Sequence, residues 1–222
     1  MRLAVILLAA GQSRRFGSRD KLRAALAGRP LAAHAARALA GLSRQAGLVV
    51  LRDPRLAGLF RGLGVVVPDR ARPGQGRSVA AGIRAARRAG ASHALLVLAD
   101  MPCLGREDLR VIARPALAHP VMALGPEGPM PPALIPRRLF AALARLDGDR
   151  GAGPLLRRCP DLVLRPLPAA RLIDVDRPDD LAAALAAARG DLSPQRSAGL
   201  PGPGRGGRIA LPDNRATKRR IR

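Results

Sequence analysis

Cysteines are scarce in this chain of 222 residues, which contains only Cys103 and Cys159. The two are far apart in the sequence, no CxxC spacing occurs, and no histidine cluster lies near either of them. These absences argue against a disulfide framework and against a cysteine-based zinc site. They are typical of a protein of the reducing cytoplasm, which is the location we expect.

Aromatic residues and long apolar runs are also few. The sequence has three Phe, no Trp and no Tyr, so it lacks the stacking platforms that single-strand nucleic-acid binders use. No apolar run approaches the roughly 18 residues that a membrane helix needs. The short run 3–10, with a single arginine before it, predicts a first strand rather than a signal peptide. We therefore expect no membrane and no nucleic-acid partner.

Acidic residues are outnumbered, since 16 Asp and Glu against 39 Lys and Arg give a formal net charge of +23. Such a charge is typical of a polyanion-binding protein, which is an alternative interpretation. However, only Lys21 and Lys218 are lysines, and the arginines are spread along the whole chain. We interpret most of the charge as a compositional bias toward arginine, and therefore turn to the motifs for function.

Short apolar strands alternate with amphipathic helices along residues 1–189. This alternation predicts a mostly parallel sheet with helices on both faces. The predicted strands are residues 3–8, 47–51, 64–67, 93–99, 120–124, 133–135, 162–167 and 172–175. Helices are predicted to begin near Leu31, Pro54, Ser78 (as N-cap), Gly105, Pro136, Gly153 and Pro178.

Two segments depart from this alternation. Strands 120–124 and 133–135 flank a turn-rich stretch and predict a hairpin-type insertion. Residues 190–222 are rich in Gly, Pro, Ser and Arg and have no apolar periodicity. They predict a disordered basic tail after one folded domain of residues 1–189.

The first candidate site is the loop after strand 3–8, with the sequence LAAGQSRRFG at residues 8–17. Its small residues would let backbone N–H groups approach a phosphate, and Arg15 and Lys21 would add fixed charge. A lysine at position 21, where residues 1–189 otherwise use arginine, indicates a need for a compact ammonium; a chance lysine on a solvated surface is the alternative. The loop matches neither a P-loop nor a dinucleotide-binding loop. A plain turn with solvated arginines is the alternative.

Two further segments carry carboxylates near predicted strand ends. Asp100 follows an apolar strand, and Asp174 and Asp176 point to the same side if their segment is extended. Ligands of open α/β sheets bind at the carboxyl edge of the strands, where Asp100 is well placed for a divalent cation. Its alternative role is to cap the following turn. Asp179 and Asp180 are expected at a helix start instead.

In this order the motifs resemble the MobA-like nucleotidyltransferases, and among them the molybdenum cofactor cytidylyltransferase branch. The family pattern is similar to L-A-A-G-x-S-x-R-F-G with a lysine following, G-x-x-x-S-x-x-x-G-I, D-M-P, P-x-x-x-x-P/R-x-x-F, G-D-x-G-A and D-x-D-x-P-x-D-L. The matching stretches are residues 8–17 with Lys21, 74–83, 100–102, 132–140, 148–152 and 174–181. The chain departs from the family pattern at the Met130-Pro131-Pro132 run. It also departs at Arg77, where the family more often has a small or hydroxyl residue.

The resemblance implies a Rossmann-like three-layer α/β/α fold of the nucleotide-diphospho-sugar transferase type. It implies transfer of CMP from CTP to the terminal phosphate of molybdopterin or molybdenum cofactor, with release of pyrophosphate. Arg15, Lys21 and Asp100 would be the catalytic residues, and Asp100 with Asp176 would bind Mg²⁺. The nucleotide-binding residues would be Leu8, Ala9, Ala10, Gly11, Arg15, Lys21, Gly76 and Ser78.

Alternatives within the resemblance concern the substrates. A guanylyltransferase, or an enzyme acting on another phosphorylated acceptor, fits the same superfamily. Ala10 favours CTP, because guanylyltransferase relatives resemble L-A-G-G at this point. A molybdoenzyme or its maturation chaperone is a further candidate partner. We expect structural roles for the remaining reactive side chains, which are His34, His93, His119 and Cys103.

Overall fold

Strand β1 (Leu3–Ala9) runs through the centre of the structure, and all seven of its residues are buried. A continuous apolar run of this kind is typical of a strand covered on both faces. Its odd-numbered side chains, such as Val5 and Leu7, pack into one hydrophobic cluster. The even-numbered ones, such as Ile6 and Leu8, pack into another. The sheet therefore separates two cores.

The computed structural model describes residues 1–11, 14–16, 20–42, 44–69, 74–114 and 118–190. Besides β1, the strands are β2 (Ala25–Leu26), β3 (Arg29–Pro30), β4 (Ala46–Leu51), β5 (Gly64–Val66), β6 (His93–Leu98), β7 (Val121–Gly125), β8 (Gly128–Pro136) and β9 (Val163–Pro166). The α-helices are α1 (Leu31–Leu39), α2 (Gln75–Arg88), α3 (Arg106–Ala113), α4 (Phe140–Leu143), α5 (Gly153–Arg157) and α6 (Asp180–Gly190). Short 3₁₀ helices span Arg14–Phe16, Lys21–Arg23, Pro54–Phe60, Arg137–Leu139 and Ala169–Arg171.

The main sheet has seven strands in the order β5-β4-β1-β6-β8-β7-β9. Strand β8 is antiparallel to its neighbours, and the other pairs are parallel. Helices α1 and α3 pack into the first cluster, whereas α2, α4 and α5 pack into the second. The predicted three-layer fold with a mostly parallel sheet is therefore confirmed. Among the described residues, no helix combines the length and apolar character needed to cross a membrane.

Strands β1 and β6 are adjacent and parallel, with Leu8 opposite Leu98. The Ala99 amide extends this pairing by donating to the Leu8 carbonyl at 2.9 Å. The two strands therefore end side by side, and the chain continues from them into the first motif and into Asp100. This register brings together two of the three loops that the sequence singled out.

The predicted hairpin insertion is present as β7 and β8, and β8 is longer than expected. Between these strands, Met122 pairs with Ala133 and Ala123 pairs with Met130, so Pro131 and Pro132 fall in an irregularity of the ladder. Prolines cannot donate to a ladder and are confined in sheets to edges and bulges. The irregularity explains how a Met-Pro-Pro run is accommodated inside the sheet.

Two local expectations were wrong, and one small element was missed. Helix α2 begins at Gln75 after Gly74, so Ser78 lies inside the helix instead of capping it. Segment 172–175 is not a strand, although the Val175 amide donates to the Asp100 carbonyl. The small β2–β3 hairpin was not anticipated. The predicted tail, apart from Gly190 at the end of α6, lies outside the described residues.

Candidate active site

An open cavity of about 500 Å³ lies at the carboxyl ends of β1 and β6. Its volume is within the range of small-molecule sites. Its wall is formed by the loop after β1, the start of α2, the end of β6 and the segments around residues 149 and 174–176. The lining residues are Leu8, Ala10, Gly11, Arg15, Lys21, Gly74, Gln75, Ser78, Leu98, Asp100, Asp149, Asp174 and Asp176.

Lys21 lies in the wall of this cavity, and its side chain is 6% exposed. Its Nζ is 2.7 Å from Asp100 Oδ2 and 2.8 Å from Asp176 Oδ1. Burial alone would lower the pKa of Lys21, but the attraction of Asp100 and the hydrogen bonds to both carboxylates outweigh it and raise the pKa. The ammonium is therefore held charged between two aspartates. The sequence set Lys21 apart as a lysine among arginines, but it did not predict that Asp100 and Asp176 are its partners.

Asp100, Asp174 and Asp176 form one acidic cluster, with an oxygen from each lying within 4.8 Å of the others. The hydrogen bond from Lys21 lowers the pKa of Asp176. Shielding from solvent, followed by the charge of Asp100, raises the pKa of Asp174 to about 7. The three carboxylates thus repel one another, and Lys21 compensates only part of their charge.

The donor set fits a divalent cation. Carboxylate oxygens are the ligands that Mg²⁺ and Mn²⁺ prefer. Asp100 Oδ1 is buried and has no hydrogen-bond partner among the described residues, which leaves one oxygen available beside the Lys21 contact. Asp174 extends the predicted pair of Asp100 and Asp176 to a group of three.

Backbone contacts hold these carboxylates in place. The Val175 amide donates to the Asp100 carbonyl at 2.9 Å, which ties the segment before α6 to the end of β6. Asp180 Oδ2 accepts from the amides of Asp176 and Arg177 at 2.8 and 2.7 Å. Asp180 lies in the first turn of α6, as expected, and its side chain orients the segment that carries Asp176.

Arg15 lies at the rim of the cavity, where its side chain is 69% exposed and one guanidinium nitrogen is 3.6 Å from Asp176 Oδ2. An ion pair this exposed contributes little to stability. The guanidinium is accessible to an anionic ligand that enters the cavity. The predicted residues Leu8, Ala10, Gly11, Arg15, Lys21, Ser78, Asp100 and Asp176 all line this one site.

Ala9 and Gly76, which the resemblance assigned to nucleotide binding, do not line the cavity. Ala9 is the last residue of β1, and it is buried in the first hydrophobic cluster. The Gly76 amide donates to the Gly148 carbonyl at 2.9 Å, so it is not available to a phosphate. A Cβ at Gly76 would lie 2.7 Å from the Asp147 carbonyl oxygen. The structure therefore gives Gly76 a packing role.

The start of α2 is clamped to the loop 147–152. Arg77 Nε lies 2.5 Å from Asp147 Oδ1, and its Nη2 donates to Asp147 Oδ2 at 2.8 Å. This bidentate pair accounts for the arginine that departs from the family pattern. The clamp brings Asp149 to the cavity wall. Asp149 belongs to the G-D-x-G-A motif, but no functional role was predicted for it.

The histidines and Cys103 lie outside the cavity lining. His34 Nε2 is 2.9 Å from the Leu26 carbonyl oxygen, and His93 Nδ1 is 3.0 Å from Ser92 Oγ. His119 contacts Asp161 at the surface. Cys103 is buried in a small cluster with α6. These contacts agree with the structural roles expected for them.

Residues 5–163 match the family described as the MobA-like NTP transferase domain. The fold is similar to that of an Rv0371c homolog from Mycobacterium sp. strain JC1, at 24% identity and a TM-score of 0.73, over 85% of this chain and 99% of that one. It is also similar to Rv0371c of Mycobacterium tuberculosis H37Rv in complex with manganese, at 20% identity and a TM-score of 0.68, over 84% and 99%.

A third solved structure with this fold is molybdopterin-guanine dinucleotide biosynthesis protein A from Archaeoglobus fulgidus, at 20% identity and a TM-score of 0.66, over 84% and 99% of the two chains. No protein with a curated description matches the sequence significantly. The family match spans most of the chain and includes the loop after β1 and Asp100. The chain therefore belongs to the MobA-like NTP transferase family and is a nucleotidyltransferase.

Proposed function

We propose that this nucleotidyltransferase transfers CMP from CTP to the terminal phosphate of molybdopterin or molybdenum cofactor and releases pyrophosphate, with Mg²⁺ as its cation. The observation that carries the proposal is the meeting of three motifs in one cavity. The L-A-A-G loop, Lys21 and the acidic cluster of Asp100, Asp174 and Asp176 all line it. This arrangement suits a ligand that has a small apolar part and a charged polyphosphate.

The reaction needs positioning and charge compensation more than proton transfer. An oxygen of the acceptor phosphate attacks the α-phosphorus of CTP, a new P–O bond forms, and the bond to the β-phosphate breaks. The acceptor phosphate is already anionic near neutral pH, so no strong general base is required. Orientation and electrostatic stabilisation then supply most of the rate enhancement. The absence of histidines from the cavity lining agrees with this chemistry.

Among the described residues that line the cavity, the cationic side chains are those of Lys21 and Arg15. Lys21 keeps its charge because it lies between Asp100 and Asp176, and that charge would lower the cost of bringing phosphates close to the acidic cluster. Arg15 is exposed at the rim and would contact the outer phosphates through its planar fork. The two residues thus divide charge compensation between the wall of the cavity and its mouth.

Asp100 and Asp176 are the proposed Mg²⁺ ligands, and Asp174 completes the group. When bound there, the cation would offset negative charge on the triphosphate. Support for a divalent ion comes from the buried, unpartnered Asp100 Oδ1. The manganese complex of the structurally similar Rv0371c agrees with a site of this kind.

CTP is proposed over GTP because of Ala10. Ala10 lies in the cavity lining beside Leu8 and Gly11, where its methyl group narrows the space next to the backbone. A pyrimidine tolerates this more easily than a purine. One such contact contributes on the order of 1 to 3 kcal/mol of discrimination, so other contacts to the base must add to it.

The acceptor is proposed from the same branch of the family. One structural neighbour is named as a molybdopterin-guanine dinucleotide biosynthesis protein, which supports a molybdopterin-type acceptor for this fold. The product would pass to a molybdoenzyme or its maturation chaperone. A guanylyltransferase, or a transferase acting on another phosphorylated acceptor, is the alternative.

Pyrophosphate release with Mg²⁺ tests the proposal. The full-length protein is assayed with CTP, GTP, ATP and UTP in turn, with and without molybdenum cofactor. We expect release only with CTP together with the cofactor. Release that favours GTP would instead assign a guanylyltransferase. Release that is independent of the cofactor with every nucleotide would show that the proposed acceptor is wrong.

A further inference from the structure

The wall of the cavity next to α2 contains a carboxylate that the proposed chemistry does not use. Asp149 lines the cavity together with Gln75 and Gly74, and it is exposed. It is not part of the acidic cluster formed by Asp100, Asp174 and Asp176. Within the described residues, it has no ion-pair or hydrogen-bond partner. Its two oxygens are therefore available to a ligand.

The loop that carries Asp149 is fixed tightly against α2. Arg77 binds Asp147 through two nitrogens, and the Gly148 carbonyl accepts from the Gly76 amide. A Cβ at Gly74 would collide with the backbone of Gly148, and one at Gly151 would lie 2.9 Å from Gln75 Oε1. Glycines on both elements allow the loop 147–152 and the start of α2 to lie in close contact, and this contact fixes the position of Asp149 in the cavity wall.

A carboxylate in a pocket for an anionic ligand needs a favourable partner. Toward a polyphosphate it would only be repulsive, because like charges raise the free energy of the complex. It becomes favourable when it accepts hydrogen bonds from N–H groups of an uncharged part of the ligand. Nucleobases and other heterocycles with exocyclic amino groups supply such donors. Asp149 therefore suits the heterocyclic end of a substrate rather than its phosphates.

We propose that Asp149 is a specificity-determining residue whose carboxylate accepts a hydrogen bond from an exocyclic amino group of the bound heterocycle, and that Arg77 is the positioning residue that holds it there through Asp147. The proposal rests on the proposed function. The nucleotide is the favoured source of the donor, because Asp149 shares its cavity with the L-A-A-G loop and the start of α2. Cytosine presents a 4-amino group where uracil presents a carbonyl oxygen, which a carboxylate would repel.

The test compares CTP with UTP. Dissociation constants for both nucleotides are measured by titration of full-length wild-type protein, Asp149→Asn, Asp149→Ala and Arg77→Leu. The charge-removal control is Glu127→Gln, in the turn between β7 and β8. We expect a preference of wild type for CTP that falls about tenfold in both Asp149 variants. It should fall part of the way in Arg77→Leu and stay unchanged in Glu127→Gln.

A second measurement separates the two sources of the amino group. The KM for the phosphorylated acceptor is determined for wild type and Asp149→Asn at saturating CTP. A raised acceptor KM with an unchanged CTP-to-UTP ratio would place the donor on the acceptor's heterocycle and retain the role of Asp149. If the ratio and the acceptor KM both stay within twofold of wild type, the role of Asp149 is overturned.

The titration also distinguishes this proposal from the proposed function. If wild type binds CTP more tightly than UTP but releases no pyrophosphate with any acceptor, the transfer reaction is wrong and the titration still decides the role of Asp149. If wild type binds CTP and UTP equally and Asp149→Asn changes neither dissociation constant nor the acceptor KM, Asp149 has no part in specificity. Melting temperatures of the variants confirm that each is folded.

Discussion

Lys21 and Asp176 are 155 positions apart in the sequence, yet Lys21 Nζ donates to Asp176 Oδ1 at 2.8 Å. This contact joins the loop after β1 to the segment that leads into α6. Because Asp100 completes the arrangement at 2.7 Å, one ammonium connects three distant parts of the chain. Lys21 therefore organises the acidic cluster in addition to any contact that it makes with phosphates.

Lys21→Arg should reduce kcat/KM by at least about tenfold, although the charge is kept. A guanidinium is larger and planar, and it cannot occupy the compact position between two carboxylates. A buried side chain that no longer fits also strains its surroundings. Pyrophosphate release and the melting temperature are measured for Lys21→Arg and for Lys218→Arg, the matched control. An unchanged kcat/KM in both variants would contradict the role given to Lys21.

Asp100→Asn should abolish turnover while the protein stays folded, because an amide lacks the charge that would hold Mg²⁺. Asp176→Asn should behave alike, and Asp174→Asn should have a milder effect. Initial rates as a function of Mg²⁺ concentration, together with melting temperatures, measure these effects. Near-normal rates for both Asp100→Asn and Asp176→Asn at low Mg²⁺ would show that the metal ligands lie elsewhere.

Arg77→Lys should destabilise the fold by about 1 kcal/mol, because a lysine cannot make the bidentate pair with Asp147. The expected loss is small because the Asp147 side chain is 63% exposed and the pair is partly screened by solvent. Urea unfolding of Arg77→Lys, Asp147→Asn and the double variant gives the coupling energy. A double variant whose loss equals the sum of the single losses would show that the pair contributes nothing.

His93 should make stability depend on pH. Its Nε2 is buried without a hydrogen-bond partner among the described residues, and burial followed by the charge of the chain's amino terminus lowers the pKa of its imidazole. The unfolded chain therefore takes up the proton first as the pH falls. The contribution of His93 is fully present above the ordinary histidine pKa of about 6.5 and is lost as the pH falls toward the lower folded value.

The free energy of unfolding of wild type and His93→Gln, measured between neutral pH and pH 5, tests this. Wild type should lose more stability over that interval than the variant. Parallel curves for the two proteins would show that His93 does not contribute.

The mostly parallel sheet and the meeting of the loops at one edge could be predicted from the sequence, whereas the strand order was not. The apolar runs of β1 and β6 are unbroken, and each is followed by a loop with polar residues. Because parallel strands end at the same edge of a sheet, the L-A-A-G loop and Asp100 were expected to meet there. The start of α6 was also predictable from its proline and its acidic first turn.

Side-chain pairing across long distances could not be read from the sequence. The contact of Lys21 with Asp176 depends on how the segment before α6 returns to β6. Segment 172–175 is tied to the end of β6 by a hydrogen bond from the Val175 amide to the Asp100 carbonyl rather than by a strand ladder. The start of α2 was misplaced because Ser78 is a good N-cap by type. The hydrogen bond from the Gly76 amide to the Gly148 carbonyl, which satisfies one of the free amides in the first turn of α2, joins residues far apart in the sequence and is not visible locally.

A direct competition between CTP and GTP is the sharpest test of the proposed cytidylyl transfer. Full-length protein at limiting concentration receives equal CTP and GTP with Mg²⁺ and molybdenum cofactor, and the mass of the product identifies the transferred nucleotide. We expect most of the product to carry CMP. We also expect Ala10→Gly, which widens the cavity beside the base, to relax this preference without abolishing turnover. A product that carries mostly GMP, or no nucleotide-bearing product at all, would contradict the proposed cytidylyl transfer.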